Sequence, residues 1–327
     1  MPLTDLQRTI LALLAQTRAP DSYLAGGAAL HFAPNSVRYS DDLDFFHDSP
    51  QRVASAFSDD AALLEGAGYG LDVEISQPGF IRAVVSRDDE STRIDWAHDS
   101  AWRFMPPIRD TQGGFVLHDV DLAVNKTLAL AGRDEPRDFI DILFVHERVL
   151  PVSALTWAAV GKDPGFTPLS LVEFLRRRGR HRPEDMARLN LAVPFDPVAS
   201  KELWRGALAD AEAFARSGPT DEVGCLYYSP ELESFTAPDR ERDLASQGLV
   251  PHFGAPGGVL PRVADVWAAE RSAYRRVPDR ASCRGAVAWL GFLSFCAAKG
   301  LGSSRASRPG GMSTSTARPS PRSWAAS

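Results

Sequence analysis

Apolar and polar residues alternate along this chain with two different periods, and the switches between them lay out the elements. Over residues 4–17 (TDLQRTILALLAQT), Leu6, Ile10, Leu13, Leu14 and Ala15 recur at helical spacing. Thr4 and Gln7 stand where a capping box would start that helix. SYLAGG (22–27) predicts a short strand ending in two glycines, and AALHF (28–32) the start of a helix. SDDLDFF (40–46) alternates strictly, as a strand does. QRVASAFSDDAALLEGAG (51–68) reads as a helix closed by glycine. LDVEI (71–75), FIRAVVS (80–86) and TRIDWAH (92–98) read as three strands. FVLHDVDLAVNKTLALAG (115–132) is a strand or loop leading into a helix, and RDFIDILFVHERV (137–149) is a further helix.

This alternation predicts an α/β (α+β) domain over residues 1–150, with a mixed sheet flanked by helices rather than a regular parallel βαβ series. Pro151 and the loop GKDPGFTP (161–168) mark a boundary. Beyond it LSLVEFLRRRG, PEDMARLNL and ASKELWRGALADAEAFARSG (199–218) look helical, and CLYYSPELESFTAPD (225–239) looks strand-like. A mainly helical region over 151–280 is therefore expected, followed by a basic low-complexity tail over 281–327. The tail, rich in Ser, Arg, Pro and Gly, supplies no core and is read as disordered. A frameshifted reading frame is the alternative for it. No internal repeat is visible.

Composition narrows the class. The chain has 327 residues, 44% hydrophobic and 24% charged, which is ordinary for a soluble protein. No run approaches the roughly 18–20 apolar residues of a membrane span. The N-terminus has neither a basic lead nor a continuous apolar core, so no secretory leader is expected. Three cysteines without a CxxC pair argue against a disulfide scaffold and a cysteine zinc site, and the expected compartment is the cytoplasm.

Net charge −6 conceals an uneven distribution. Residues 281–327 hold six basic side chains and no acidic one, which leaves 30 basic and 42 acidic in the rest. Only four residues are lysine: Lys126, Lys162, Lys201 and Lys299. A lysine near carboxylates in such a background asks for a reason.

Asp42-Leu43-Asp44 is the first constellation. On a strand, positions i and i+2 share a face, so the two carboxylates sit side by side with Leu43 turned to the core. Two like charges at that distance call for a cation, and Mg²⁺ is the usual one. The plainer reading is a surface turn with three aspartates. Upstream, Gly26 and Gly27 follow a strand and precede a helix, where backbone N–H groups can approach a phosphate. Arg38 and Ser40 lie just before the DxD strand, within reach of the same phosphates, or else belong to an ordinary loop. Asp95, between Ile94 and Trp96, is against strand propensity. Three carboxylates from two strands form the ligand set of a two-metal phosphoryl or nucleotidyl transfer site.

Lys126 lies in an otherwise apolar helix and is a candidate for the β/γ-phosphates. Asp138 and Asp141, three apart on one helix face, are placed to hold Lys126 or to fix Arg133 and Arg137. A surface ion-pair network is the alternative. RRRGRHRPED (176–185) gathers Arg176, Arg177, Arg178, Arg180 and Arg182, a candidate RNA-backbone contact or simply a solvated helix end. His31, His47 and His98 lack metal-ligand spacing and read as structural. HFGAPGGVLP (252–261) lacks the strand–turn–helix context of a nucleotide loop. Trp96 and Trp102 read as core.

The ordered set YLAGGAALHF, RYSDDLDFF, RIDW and DLAVNKTLALAGRDEPRDFIDIL resembles the nucleotidyltransferase fold, and more narrowly the AbiEii/AbiGii-type toxins of the DNA-polymerase-β-like superfamily. The resemblance covers about residues 20–150. It implies an NTP-binding enzyme that uses Mg²⁺ (or Mn²⁺). By position it places Gly26 and Gly27 in the glycine turn, Asp42 and Asp44 in the metal pair and Asp95 as the third carboxylate. It matches Lys126 to the family lysine and Asp138 and Asp141 to the terminal R/K-D-x-x-D motif. Arg38 and Ser40 join the nucleotide-binding set. Gly27 departs from the superfamily, which often has Ser there. Such proteins often act as toxins beside an antitoxin protein, and some add nucleotides to the 3′ end of tRNA. The expected function is therefore NMP transfer from NTP to an acceptor hydroxyl, with RNA as acceptor. Asp95 is expected to help deprotonate that hydroxyl. The alternatives are a small-molecule or protein acceptor, or a non-catalytic NTP-binding module.

Overall fold

The computed structural model describes residues 3–32 and 36–262. The expectation for the tail at 281–327 lies outside them. Helix α1 (Asp5–Leu14) begins at the capping box foreseen for Thr4 and Gln7. Strand β1 (Ser22–Ala25) runs into the short helix α2 (Gly26–Leu30). Strand β2 (Asp42–His47) is followed by α3 (Pro50–Gly66), which starts on the Ser49 side chain with Pro50 in its first turn. Three long strands come next, β3 (Gly70–Gln77), β4 (Phe80–Arg87) and β5 (Glu90–His98). Short strands β6 (Trp102–Arg103), β7 (Ile108–Asp110) and β8 (Gly114–Val116) lead into α4 (Asp119–Arg133) and α5 (Pro136–Arg148).

The remainder is helical and then β. Helices α6 (Val152–Lys162), α7 (Pro168–Arg177), the single turn α8 (Pro183–Met186) and α9 (Pro197–Ser217) precede β9 (Leu226–Ser229), β10 (Ser234–Thr236), β11 (Val250–His252) and β12 (Ala255–Pro256). The helix foreseen over PEDMARLNL is thus only one turn long. CLYYSPELESFTAPD forms the hairpin β9–β10.

Seven strands form one mixed sheet in the order β3-β4-β5-β2-β1-β8-β7. β2 lies parallel to β5 and antiparallel to β1, and β4 lies antiparallel to β5. The register sets Asp44 beside Asp95 on one side, and Arg82 beside Asp95 on the other. Alternation then sorts the faces. Trp96 turns toward α3, where its indole N–H donates to Asp60 at 2.7 Å and its ring meets Phe57 edge-on. Leu43, Phe45 and Ile94 are fully buried in the core. Asp95, Asp42 and Asp44 face the other way, where Gly26 of α2 lies against Asp44 and Arg137 of α5 reaches Asp42.

One apolar core extends from Leu3 to Leu226, through the sheet and helices α3 to α9. Helix α6 is buried on nearly every side, from Val152 to Lys162, and packs against α4 and α9. No helix of the described residues is long and apolar enough to cross a membrane.

Candidate active site

Asp42, Asp44 and Asp95 converge: one carboxylate oxygen from each lies within 4.8 Å of the others, and all three residues are buried. The reading of Asp42-Leu43-Asp44 as a surface turn does not describe this chain. Three carboxylates gathered in a dry site are unfavourable without positive charge nearby. An all-oxygen donor set suits a hard divalent cation such as Mg²⁺ or Mn²⁺. The backbone supports the same fit. Gly26 sits at φ +66°, and a β-carbon there would lie 1.8 Å from Oδ2 of Asp44. Only a residue without a side chain lets the turn close over this carboxylate.

Arginines supply charge around the triad. Arg82 donates from Nε and Nη2 to the two oxygens of Asp95, at 2.8 and 3.0 Å, as a buried bidentate pair. Asp42 meets two looser partners at one oxygen, Oδ2: Arg137 Nη1 at 3.5 Å and Arg93 Nη2 at 3.8 Å. The sequence reading did not single out Arg82 or Arg93. Their signal was the alternation of β4 and β5, which turns both side chains to the face that carries Asp95.

Arg38 and Ser40 are buried beside the glycine turn. A β-carbon on Gly27 would meet Arg38 Nη2 at 2.7 Å and Ser40 Oγ at 3.1 Å, so both side chains pack closely on the second glycine. Ser40 Oγ donates to the Asp42 carbonyl at 3.0 Å, fixing the start of β2.

Lys126 and Asp141 organise a second layer beneath the turn. Lys126 Nζ lies 2.6 Å from Asp141 and 3.7 Å from Asp138. Arg38 holds Asp141 through Nε and Nη2 at 2.7 and 2.8 Å, and His31 Nε2 approaches its Oδ1 at 2.7 Å. Arg133 holds Asp138 at 2.5 and 2.7 Å. Both alternatives foreseen for the two aspartates therefore occur: they hold Lys126, and Asp138 also fixes Arg133. Arg137 instead points to Asp42. Burial alone would raise the Asp141 carboxyl, but Arg38 and Lys126 outweigh it and hold Asp141 well below the usual range. Burial likewise opposes the ionised Asp138, which Arg133 draws down to about 2 with help from Lys126 and Arg137. Burial lowers the pKa of His31, against the pull of its contact with Asp141. Three cations face two carboxylates here, so the layer is net positive.

Other expectations fall elsewhere. Among the five arginines of 176–182, Arg176 pairs with Glu212, Arg177 with Glu173 and Arg182 with Asp185, while Arg178 donates to the Ala131 carbonyl. Four of the five are thus engaged within the chain, three of them in exposed ion pairs. His31 and His47 are fully buried, and Trp96 is core, as read from the sequence. A second buried cluster went unnoticed in the sequence: Lys162 Nζ meets Asp99 and Asn125, each at 2.7 Å.

No family model matches the chain, and no curated protein matches it. Among solved structures it is similar to MenT4, a nucleotidyltransferase toxin from Mycobacterium tuberculosis, at 19% identity and TM-score 0.45, over 66% of this chain and 83% of that one. It is also similar to JHP933 from Helicobacter pylori, at 17% identity and TM-score 0.38, over 64% and 90%. A third is an H. pylori protein described as a nucleotidyltransferase, at 18% identity and TM-score 0.37, over 64% and 93%.

Proposed function

We propose that this chain is a metal-dependent nucleotidyltransferase, which moves an NMP from an NTP to an acceptor hydroxyl. The observation that carries the reading is the buried triad of Asp42, Asp44 and Asp95, with Gly26 folded against Asp44. Mg²⁺ or Mn²⁺ would be held by those three carboxylates; bound there, divalent ions neutralise the triphosphate and favour departure of pyrophosphate.

The chain's own residues do the rest. The Gly26–Gly27 turn, with Arg38 and Ser40 packed on it, is the floor on which the triphosphate rests. Lys126 serves that floor from below: its ammonium is committed to Asp141, which in turn fixes Arg38. Asp138 and Asp141 are the buried anions that keep these cations in place. In the transfer, the acceptor oxygen bonds to the α-phosphorus, the bond to the β-phosphate oxygen breaks, and the hydroxyl proton leaves to a base. Asp95 was the expected base, but both its oxygens accept hydrogen bonds from Arg82, which suits a fixed metal ligand better than a proton acceptor.

The acceptor we propose is RNA, with the tRNA 3′ end first, and the role is that of a cytoplasmic toxin held by an antitoxin protein. The internal pairing of Arg176, Arg177 and Arg182 favours a second reading, in which a small hydroxylated molecule or a protein side chain is the acceptor. Incubation with α-labelled NTP, Mg²⁺ and total tRNA separates them. Labelled RNA supports the first reading; label only in protein or in a small molecule sinks it.

A further inference from the structure

The arginines around the triad fall into two kinds. Arg82 is locked: it is buried, and both of its hydrogen bonds to Asp95 are at full strength. Arg93 and Arg137 are not. Each leans on the same oxygen of Asp42 from a distance at or beyond the limit of a hydrogen bond, 3.8 and 3.5 Å. Their side chains keep 37% and 21% of their surface exposed, so both can turn outward. Arg93 carries a further sign of incompleteness: its Nε is buried and has no hydrogen-bond partner. A buried donor left unmet is costly, and an incoming acceptor would satisfy it.

Charge bookkeeping points the same way. Arg82, Arg93 and Arg137 face three carboxylates, so this layer of the site is balanced by the chain's own cations. A divalent cation on Asp42 then leaves Arg93 and Arg137 facing excess positive charge, and only an added anion restores the balance. Guanidinium groups suit phosphate oxygens through paired N–H donors. Phosphates bridged to metal at such a triad belong to the polyphosphate part of a substrate.

We propose that Arg93 and Arg137 are exchangeable ligands, which rest on Asp42 and pass to the phosphate oxygens of a polyphosphate when Asp42 is engaged by a divalent cation. The proposal rests on the nucleotidyltransferase reading above and adds two residues to its phosphate site. It makes an unusual demand: the same substitution must weaken binding of the anion and strengthen binding of the bare cation.

Calorimetry on the full chain tests this with two probes, Ca²⁺ alone and inorganic tripolyphosphate at saturating Ca²⁺. Arg93→Gln and Arg137→Gln should each tighten Ca²⁺ alone severalfold, because a competing charge on Asp42 is gone, and weaken tripolyphosphate by about tenfold. Arg93→Lys keeps the charge and should leave Ca²⁺ affinity near that of the wild type. Weaker binding of both probes by the Gln variants would mark a merely structural role and overturn the proposal, as would no change in either. The underlying reading fails separately: in that case the wild type shows no Ca²⁺ binding that Asp44→Asn abolishes.

Discussion

Gly26 and Asp44 are fitted to each other so closely that a single added carbon would collide: a β-carbon on Gly26 would stand 1.8 Å from the Asp44 carboxylate. Two motifs that lie 18 residues apart in sequence are thereby one object, since Ala25 pairs with Asp44 across β1 and β2. Gly26→Ala should therefore act on the carboxylate. The backbone penalty at φ +66° is about 1 kcal/mol. The larger effect is expected in cation binding, which should fall by tenfold or more as Asp44 is pushed aside. Mn²⁺ titration followed by electron paramagnetic resonance checks this; unchanged affinity in a folded Gly26→Ala protein would refute it.

The carboxylates of the two layers should respond unequally to neutralisation. Asp141 is the shared anion of Arg38 and Lys126, and Asp141→Asn strands two buried cations. A loss of about 3–5 kcal/mol is expected, as for other broken buried pairs. Asp44 shares the arginine charge around the triad with Asp42 and Asp95, so Asp44→Asn should cost less, about 1 kcal/mol, in the absence of metal. Urea unfolding with chelator present measures both. Equal losses would show that the triad is a structural network like the layer beneath it.

His47 sets an acid-sensitive term in stability. It is fully buried, and neither ring nitrogen has a hydrogen-bond partner. Burial, with Arg18 and Arg52 nearby, lowers its pKa from 6.5 to about 2. The unfolded chain then binds a proton below pH 6.5 that the folded chain refuses. This stability is whole above pH 6.5 and is lost as pH falls, by about 1.4 kcal/mol per unit. Asp121, pushed up to about 6 by burial, acts in the opposite sense between pH 3.8 and 6. The readout is therefore the difference between wild type and His47→Gln. The variant should show a shallower loss of unfolding free energy from pH 6.5 to 5, by about one proton's worth of slope. Parallel curves would contradict the assignment.

The site was legible where chemistry is written in local pattern. Alternation in SDDLDFF and TRIDWAH placed the three aspartates on one face, and the glycine pair marked the turn against them. Arg82, Arg93 and Arg137 were harder to see, because their roles depend on the pairing order β4-β5-β2 and on the reach of Arg137 from α5 to Asp42. Lys126 and its partners were legible, since Asp138 and Asp141 share one helix face, but apolar helix surroundings do not say which of the two it meets more closely. Helix α6 escaped notice because Val152–Val160 is apolar all round, so no polar face gave it a period. Pro151 and the loop over 161–168 mark a boundary in the pattern, yet the segment between them packs in the same core as the sheet.

The central claim is that the triad supports transfer of an α-phosphoryl group with its nucleoside. The most direct measurement follows parallel reactions with α-labelled and γ-labelled NTP in Mg²⁺, for the wild type and for Asp44→Asn. The α-label is expected to enter an acceptor and the γ-label to be released as pyrophosphate, and Asp44→Asn to abolish both. Transfer of the γ-label to an acceptor, or undiminished α-label transfer by Asp44→Asn, would contradict it.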